Sequence, residues 1–169
     1  MDIKIKNDLI NYKFRVSACI VKNDKILCVQ IMDNGFYCLP GGHVKLGESS
    51  LMAVKREVNE EVNLVLNDYY IEDEPRLIGI NETIFNQKEN KKVHETTFIY
   101  NINIKTIDKI EDKIVYENDE GLQKKLEFKW INIKDLKNSN FKPNVIINQI
   151  ENKDYSFKHY IDGFNSIDD

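Results

Sequence analysis

The sequence predicts an α+β fold: a mixed or antiparallel sheet flanked by helices, as an α/β/α sandwich. Two observations carry that expectation. Short strand-like patterns come before, between and after helix signals, without the regular alternation of a βαβ protein. One segment, Ser49 to Val62, has clear helical periodicity in a chain otherwise rich in alternating apolar stretches.

Phe14 to Ile31 reads as two strands around the turn Lys22-Asn23-Asp24-Lys25. Phe36 to Leu39 is short and apolar and ends at Pro40-Gly41-Gly42, which must leave the strand. In the helix from Ser49, Leu51, Val54, Val58 and Val62 recur at three- and four-residue steps and share one face. Ser49 or Ser50 is placed to cap it. Leu77 to Phe85 and Thr96 to Ile104 read as paired strands joined by a polar loop at 86–92, and Leu126 to Ile133 as a strand carrying Trp130. The polar stretch Glu117 to Lys125 reads as a loop, and Val145 to Ile150 as a C-terminal helix with Pro143 near its first turn.

The chain has 169 residues, 41% hydrophobic and 31% charged, which suits one folded domain over 1–169 and argues against disorder. A net charge of −4 provides no global attraction for long nucleic acid or an anionic membrane. No stretch approaches the ~20 apolar residues of a membrane helix, and Met1-Asp2-Ile3-Lys4 opens no run of signal-peptide length. Cys19, Cys28 and Cys38 form no C-x-x-C pair and sit in apolar, strand-like surroundings, so buried free thiols and a reducing, cytoplasmic location are expected.

The chemistry concentrates between Gly42 and Leu64. At ~100° per residue, Glu60 and Glu61 lie roughly 60° and 40° either side of Glu57, so the three carboxylates leave one narrow helix face. Like charges at these spacings weaken a helix, and acidic groups near its C-terminus oppose its dipole. A divalent cation would reverse both penalties, and Mg²⁺ favours such hard oxygens while keeping waters and sharing substrate phosphates. Taken alone, the glutamates fit equally a solvated face countered by Lys55 and Arg56.

The wider spacing goes further. Gly42, Glu48, Arg56, Glu57, Val58, Glu60, Glu61 and Leu64 match the Nudix box. That signature runs glycine, five residues, glutamate, seven residues, Arg-Glu, an aliphatic, one residue, Glu-Glu, one residue, glycine, an aliphatic. Six fixed residue types at roughly 7% usage coincide about once in 10⁷ trials. The lead-in Leu39-Pro40-Gly41-Gly42, and Glu127-Phe128-Lys129-Trp130 followed by Leu136, resemble the flanking strand and short helix of the same family. The chain thus resembles the Nudix hydrolases (MutT-like). Asn63 stands where the family has glycine, and asparagine tolerates the left-handed conformation needed at a helix end. Gly42-x-x-x-x-Gly47-Glu48-Ser49 also approaches a P-loop, but a carboxylate at Glu48 would repel the phosphate that a P-loop lysine holds.

The resemblance implies a Mg²⁺-dependent hydrolase, with Mn²⁺ as a substitute, that cleaves a diphosphate bond in a small nucleotide-like substrate. It implies that the Gly42 carbonyl, Glu57, Glu60 and Glu61 hold the metal, and that Glu48 and Arg56 belong to the catalytic set by orienting the cluster. The general base is open: Glu60 and Glu61 are the candidates inside the box, and Glu95, Glu120 and Glu127 those outside. Glu82 and His94 are candidates for the pocket wall. His43 reads as a loop residue or a phosphate contact. The aromatic tail around His159 reads as packing or an oligomer contact, compatible with a homodimer. The alternatives to an active enzyme are a catalytically inactive nucleotide-binding regulator on the same fold and an interaction domain with a solvated acidic helix. The substrate is left open among ordinary or oxidised nucleoside triphosphates, nucleotide sugars, ADP-ribose, dinucleoside polyphosphates and RNA ends.

Overall fold

The computed structural model describes residues 1–6, 10–31, 35–62, 71–86, 92–105, 110–119 and 122–163. Five strands form one mixed sheet in the order β1 (Lys4–Lys6), β2 (Ile10–Cys19), β7 (Lys92–Asn101), β6 (Arg76–Asn86) and β10 (Lys158–Asp162). Within it β2 runs parallel to β7 and β10 parallel to β6, while the other neighbours are antiparallel. A second, antiparallel sheet has the order β3 (Val21–Lys22), β4 (Lys25–Ile31), β9 (Leu122–Asn132) and β8 (Lys113–Asp119), with β5 (Tyr37–Cys38) on β4.

Helices cover both faces of this pair of sheets. Ala53, Val54 and Val58 of α1 (Ser50–Val62) are fully buried against Val16, Ala18 and Tyr100 of the first sheet and Leu27, Val29 and Phe128 of the second. Each buried valine contributes roughly 1.5–3 kcal/mol, enough to fix which face α1 presents to the sheets. On the other side, Ile133 and Leu136 of a 3₁₀ helix (Ile133–Asn138) and Ile147 and Ile150 of α2 (Ile147–Glu151) pack on Cys19, Ile26, Cys28, Ile78 and Ile99. The alternation of Ile26 and Cys28 with Leu27 and Val29 along β4 divides that strand between the two cores. This is the expected α/β/α sandwich with mixed sheets. Among the described residues no helix is long and apolar enough to cross a membrane.

Two local expectations need correction, and two others gain detail. Phe14 to Ile31 is strand on both sides of the turn at 22–25, as expected, but the first part belongs to two sheets: β2 pairs with β7, and only β3 turns back on β4, the chain changing sheets at Ile20. Residues 117–119 and 122–125 are not loop but strand, paired between β8 and β9, with Glu117 opposite Lys124 and Asp119 opposite Leu122. Their near-uniform polarity hid the strand period. The aromatic tail contributes β10, registered on β6 from Lys158↔Gly79 to Asp162↔Thr83. The C-terminal helix is shorter than expected, a 3₁₀ turn (Asn144–Ile146) leading into α2. Asn63 lies outside the described residues.

Candidate active site

The turn after β5 continues along the side of β2 that β1 leaves uncovered. Ala18 N donates to Pro40 O at 2.8 Å, Val16 N to Gly42 O at 2.9 Å, and Val44 N to Phe14 O at 3.0 Å. Two close approaches require the glycine pair. A Cβ on Gly41, at φ +149°, would meet Val16 O at 2.1 Å, and one on Gly42 would lie 2.4 Å from the Glu57 carboxylate. The turn is therefore clasped between β2 and α1.

α1 begins as its sequence predicts, with Ser49 Oγ accepting from Met52 N at 3.2 Å. Ser50 Oγ shares a 2.7 Å hydrogen bond with Tyr100 Oη, tying that end to β7. One turn on, Arg56 acts as a hub. Its Nε and Nη2 reach the two oxygens of Glu48 at 2.8 and 3.0 Å, and Nη2 also donates to His43 O at 2.9 Å. Its Nη1 donates to Glu57 Oε1 at 2.7 Å and Glu60 Oε2 at 3.0 Å. All five guanidinium donors have acceptors. Glu48 Oε2 in addition accepts from Lys45 N at 3.0 Å, which pins the loop to the helix.

The electrostatics follow from these contacts. The Arg56 bond holds the Glu48 carboxyl below its usual range, and the Glu48 bond in turn holds the Arg56 guanidinium more firmly charged. Burial pushes Glu57 above the ordinary carboxylate range, against the pull of Arg56, because it is only 8% exposed. Glu61 Oε2 accepts from Gly41 N at 2.8 Å. Glu60, more exposed, has its second oxygen 3.8 Å from Lys45 Nζ. The structure thus brings Gly42, Glu48, Arg56, Glu57, Glu60 and Glu61 together around one turn. Gly42 O already accepts from Val16 N and keeps a second lone pair.

The residues outside the box separate. On β7, Glu95 and His94 face opposite ways. Glu95 lies beside Arg15, with Oε2 at 3.7 Å from Nη1, and Arg15 Nη2 donates to Gly41 O at 3.3 Å, so this pair adjoins the glutamate turn. His94 and Glu82 share the other face: Glu82 Oε2 lies 3.4 Å from His94 Nε2, and Glu82 Oε1 2.7 Å from His159 Nε2. Glu127 points away from Leu126 and Phe128, which belong to the α1 core. Glu120 lies outside the described residues. The imidazole of His43 is held below its ordinary range by burial and by Arg15, and lies 3.9 Å from Asp2.

Sequence reasoning missed Arg15 and the partner of His159. A lone arginine between Phe14 and Val16, in a strand whose next residues are small or apolar, was a readable signal. The His159 contact was not, because its partner is 77 residues away.

The donor set suits a hard cation: carboxylate oxygens, one backbone carbonyl and no sulfur. Among the described residues no three or more His, Cys, Asp or Glu side chains form a ready-made metal cluster. A Mg²⁺ site built from one or two carboxylates, waters and substrate phosphates does not require one.

Residues 12–149 match the NUDIX domain family, and the chain belongs to that family. It is 38% identical over 69 residues to an ADP-ribose pyrophosphatase of Methanocaldococcus jannaschii, covering 36% of this chain and 41% of the relative. It is 31% identical over 94 residues to the "Probable DHNTP pyrophosphohydrolase" of Lactococcus lactis subsp. cremoris, covering 54% of this chain and 52% of the relative. The chain thus matches about half the length of these curated relatives or less. The fold is similar to the MutT protein from Bacillus halodurans, at 18% identity with a TM-score of 0.56, over 88% of this chain and 90% of that one.

Proposed function

We propose that this chain, read as one domain over 1–169, is a divalent-metal-dependent pyrophosphohydrolase. It would cleave the diphosphate of a nucleoside diphosphate linked to a further group. One observation carries the reading: the buried Glu57 carboxylate occupies the space a side chain on Gly42 would fill, beside Glu60 and Glu61. Arg56 bonds this buried carboxylate and Arg15 acts on it from further off, yet burial still holds it above the ordinary carboxylate range, a cost that further positive charge would offset. The names of the two curated relatives, a pyrophosphohydrolase and a pyrophosphatase, agree with this reading.

Glu57, Glu60, Glu61 and the Gly42 carbonyl would hold Mg²⁺, or Mn²⁺ in its place. The bound ion would neutralise the diphosphate and lower the pKa of an attacking water. Arg56 keeps the carboxylates oriented by filling one oxygen each of Glu57 and Glu60 while spending Glu48 on the loop. The attacking water's proton would pass to a carboxylate of the same face, Glu60 or Glu61. Release of phosphate-containing products from a panel of nucleoside diphosphate derivatives, with Mg²⁺ and with Mn²⁺, tests this. No turnover of any member, with binding retained, would favour a regulator that binds nucleotide without cleaving it.

A further inference from the structure

The face of the first sheet that carries Arg15 holds polar groups that its own neighbours do not satisfy. Asn81 on β6 is 2% exposed; its Nδ2 donates to Thr83 Oγ1 at 2.8 Å, but its buried Oδ1 has no partner. Arg15 Nε is also buried and unpartnered. Glu95 Oε2 lies 3.7 Å from Arg15 Nη1 and 3.9 Å from Lys13 Nζ, beyond hydrogen-bond reach, while Oε1 accepts from Thr97 Oγ1 at 3.2 Å. The register Asn81↔Thr97↔Arg15 aligns these residues across three adjacent strands on one face. Arg15 and Glu95, 30% and 21% exposed, form its outer rim, and Asn81 lies inward.

An unmet buried acceptor is expensive, and a structure that keeps one usually meets it with a water or a ligand. This one adjoins the glutamate turn, because Arg15 reaches Gly41 O and Gly41 N is held by Glu61. We propose that Arg15, Asn81 and Glu95 form the subsite for the non-phosphate part of the substrate. That part offers two hydrogen-bond donors, to Asn81 Oδ1 and Glu95 Oε2, beside an acceptor for Arg15 Nε. The inference rests on the diphosphatase reading and adds what the molecule recognises beyond the phosphates. Two sources supply this chemistry: the hydroxyls of a terminal sugar, or the amino and imino groups of a base.

Binding of four probes in Mg²⁺ separates the outcomes. Methylenediphosphonate carries no donor group and reads the phosphate site alone. ADP-ribose against ADP reads the sugar arm, and GTP against ITP, which lacks the 2-amino group, reads the base arm. The wild type should prefer the donor-bearing member of one pair. Glu95→Gln, on the exposed rim, should cut that preference about tenfold and leave methylenediphosphonate binding within about twofold. Asn81→Leu, with its melting temperature checked, should do the same. The subsite is overturned if neither pair is discriminated while methylenediphosphonate binds. It is also overturned if both variants weaken all probes equally, as a structural role would. Failure of methylenediphosphonate to bind the wild type would sink the diphosphatase reading as well.

Discussion

The Glu57 carboxylate fills the space beside Gly42 that any other residue's side chain would need. Gly42→Ala should therefore displace a buried carboxylate instead of filling a void. We expect a loss of about 1–3 kcal/mol in stability and a larger proportional loss of turnover, read by thermal melting and steady-state kinetics on the same preparation. An alanine variant with wild-type turnover would mean that the position of Glu57 is unimportant.

Arg56 bonds Glu48, Glu57 and Glu60 at once, and only a planar fork reaches all three. Arg56→Lys keeps the charge and loses the geometry. Turnover should fall about 10–100-fold, the usual cost of releasing a group that orients ligands. Added Mg²⁺ should recover part of the loss if the carboxylates have merely loosened.

Burial raises the Cys19 thiol to about 12 and the Cys38 thiol to about 11, and pushes Cys28 up as well. At pH 8 the Cys38 thiolate is then about one part in a thousand. Iodoacetamide should leave all three cysteines of the native protein unmodified over minutes and react fully in denaturant. Cys38 is only partly buried, so it is the most sensitive of the three, and rapid native labelling there would contradict its raised pKa.

Glu82 joins β10 to β6 and β7 through His159 and His94. The bond from His159 holds the Glu82 carboxyl below its ordinary range. A depressed carboxyl stabilises the fold above its unfolded pKa, and that contribution fades as pH falls through the folded value. Hydrogen exchange of the 158–162 amides, corrected for intrinsic rates, should show protection falling on acidification below the carboxylate range. His159→Ala should expose the same amides at neutral pH, while unchanged protection would remove the clasp from the account.

The glutamate turn was legible in the sequence because its determinants are local. Ser49, the valine stripe and the carboxylates of α1 all act within a few helical turns. What sequence reasoning misread depends on distant or exposed pairing. The β8–β9 pair carries polar residues such as Lys124 and Lys125 where a buried strand would alternate, and β10 has no local signal for joining β6. Adjacent residues in strands also divide their roles by face. His94 joins Glu82 and His159, while Glu95 joins Arg15, a distinction that a position near a loop cannot convey.

Glu61→Gln is the most direct test of the central claim. A glutamine can still accept from Gly41 N, so the turn should hold and the melting temperature should stay within a few degrees, while a metal-ligating charge is lost. With Mg²⁺ present, ³¹P NMR of a nucleoside diphosphate panel should show cleavage by the wild type, abolished by EDTA. The variant should be slower by about a hundredfold or more. Wild-type rates in Glu61→Gln, or cleavage unaffected by EDTA, would contradict a metal-dependent hydrolase centred on this glutamate face.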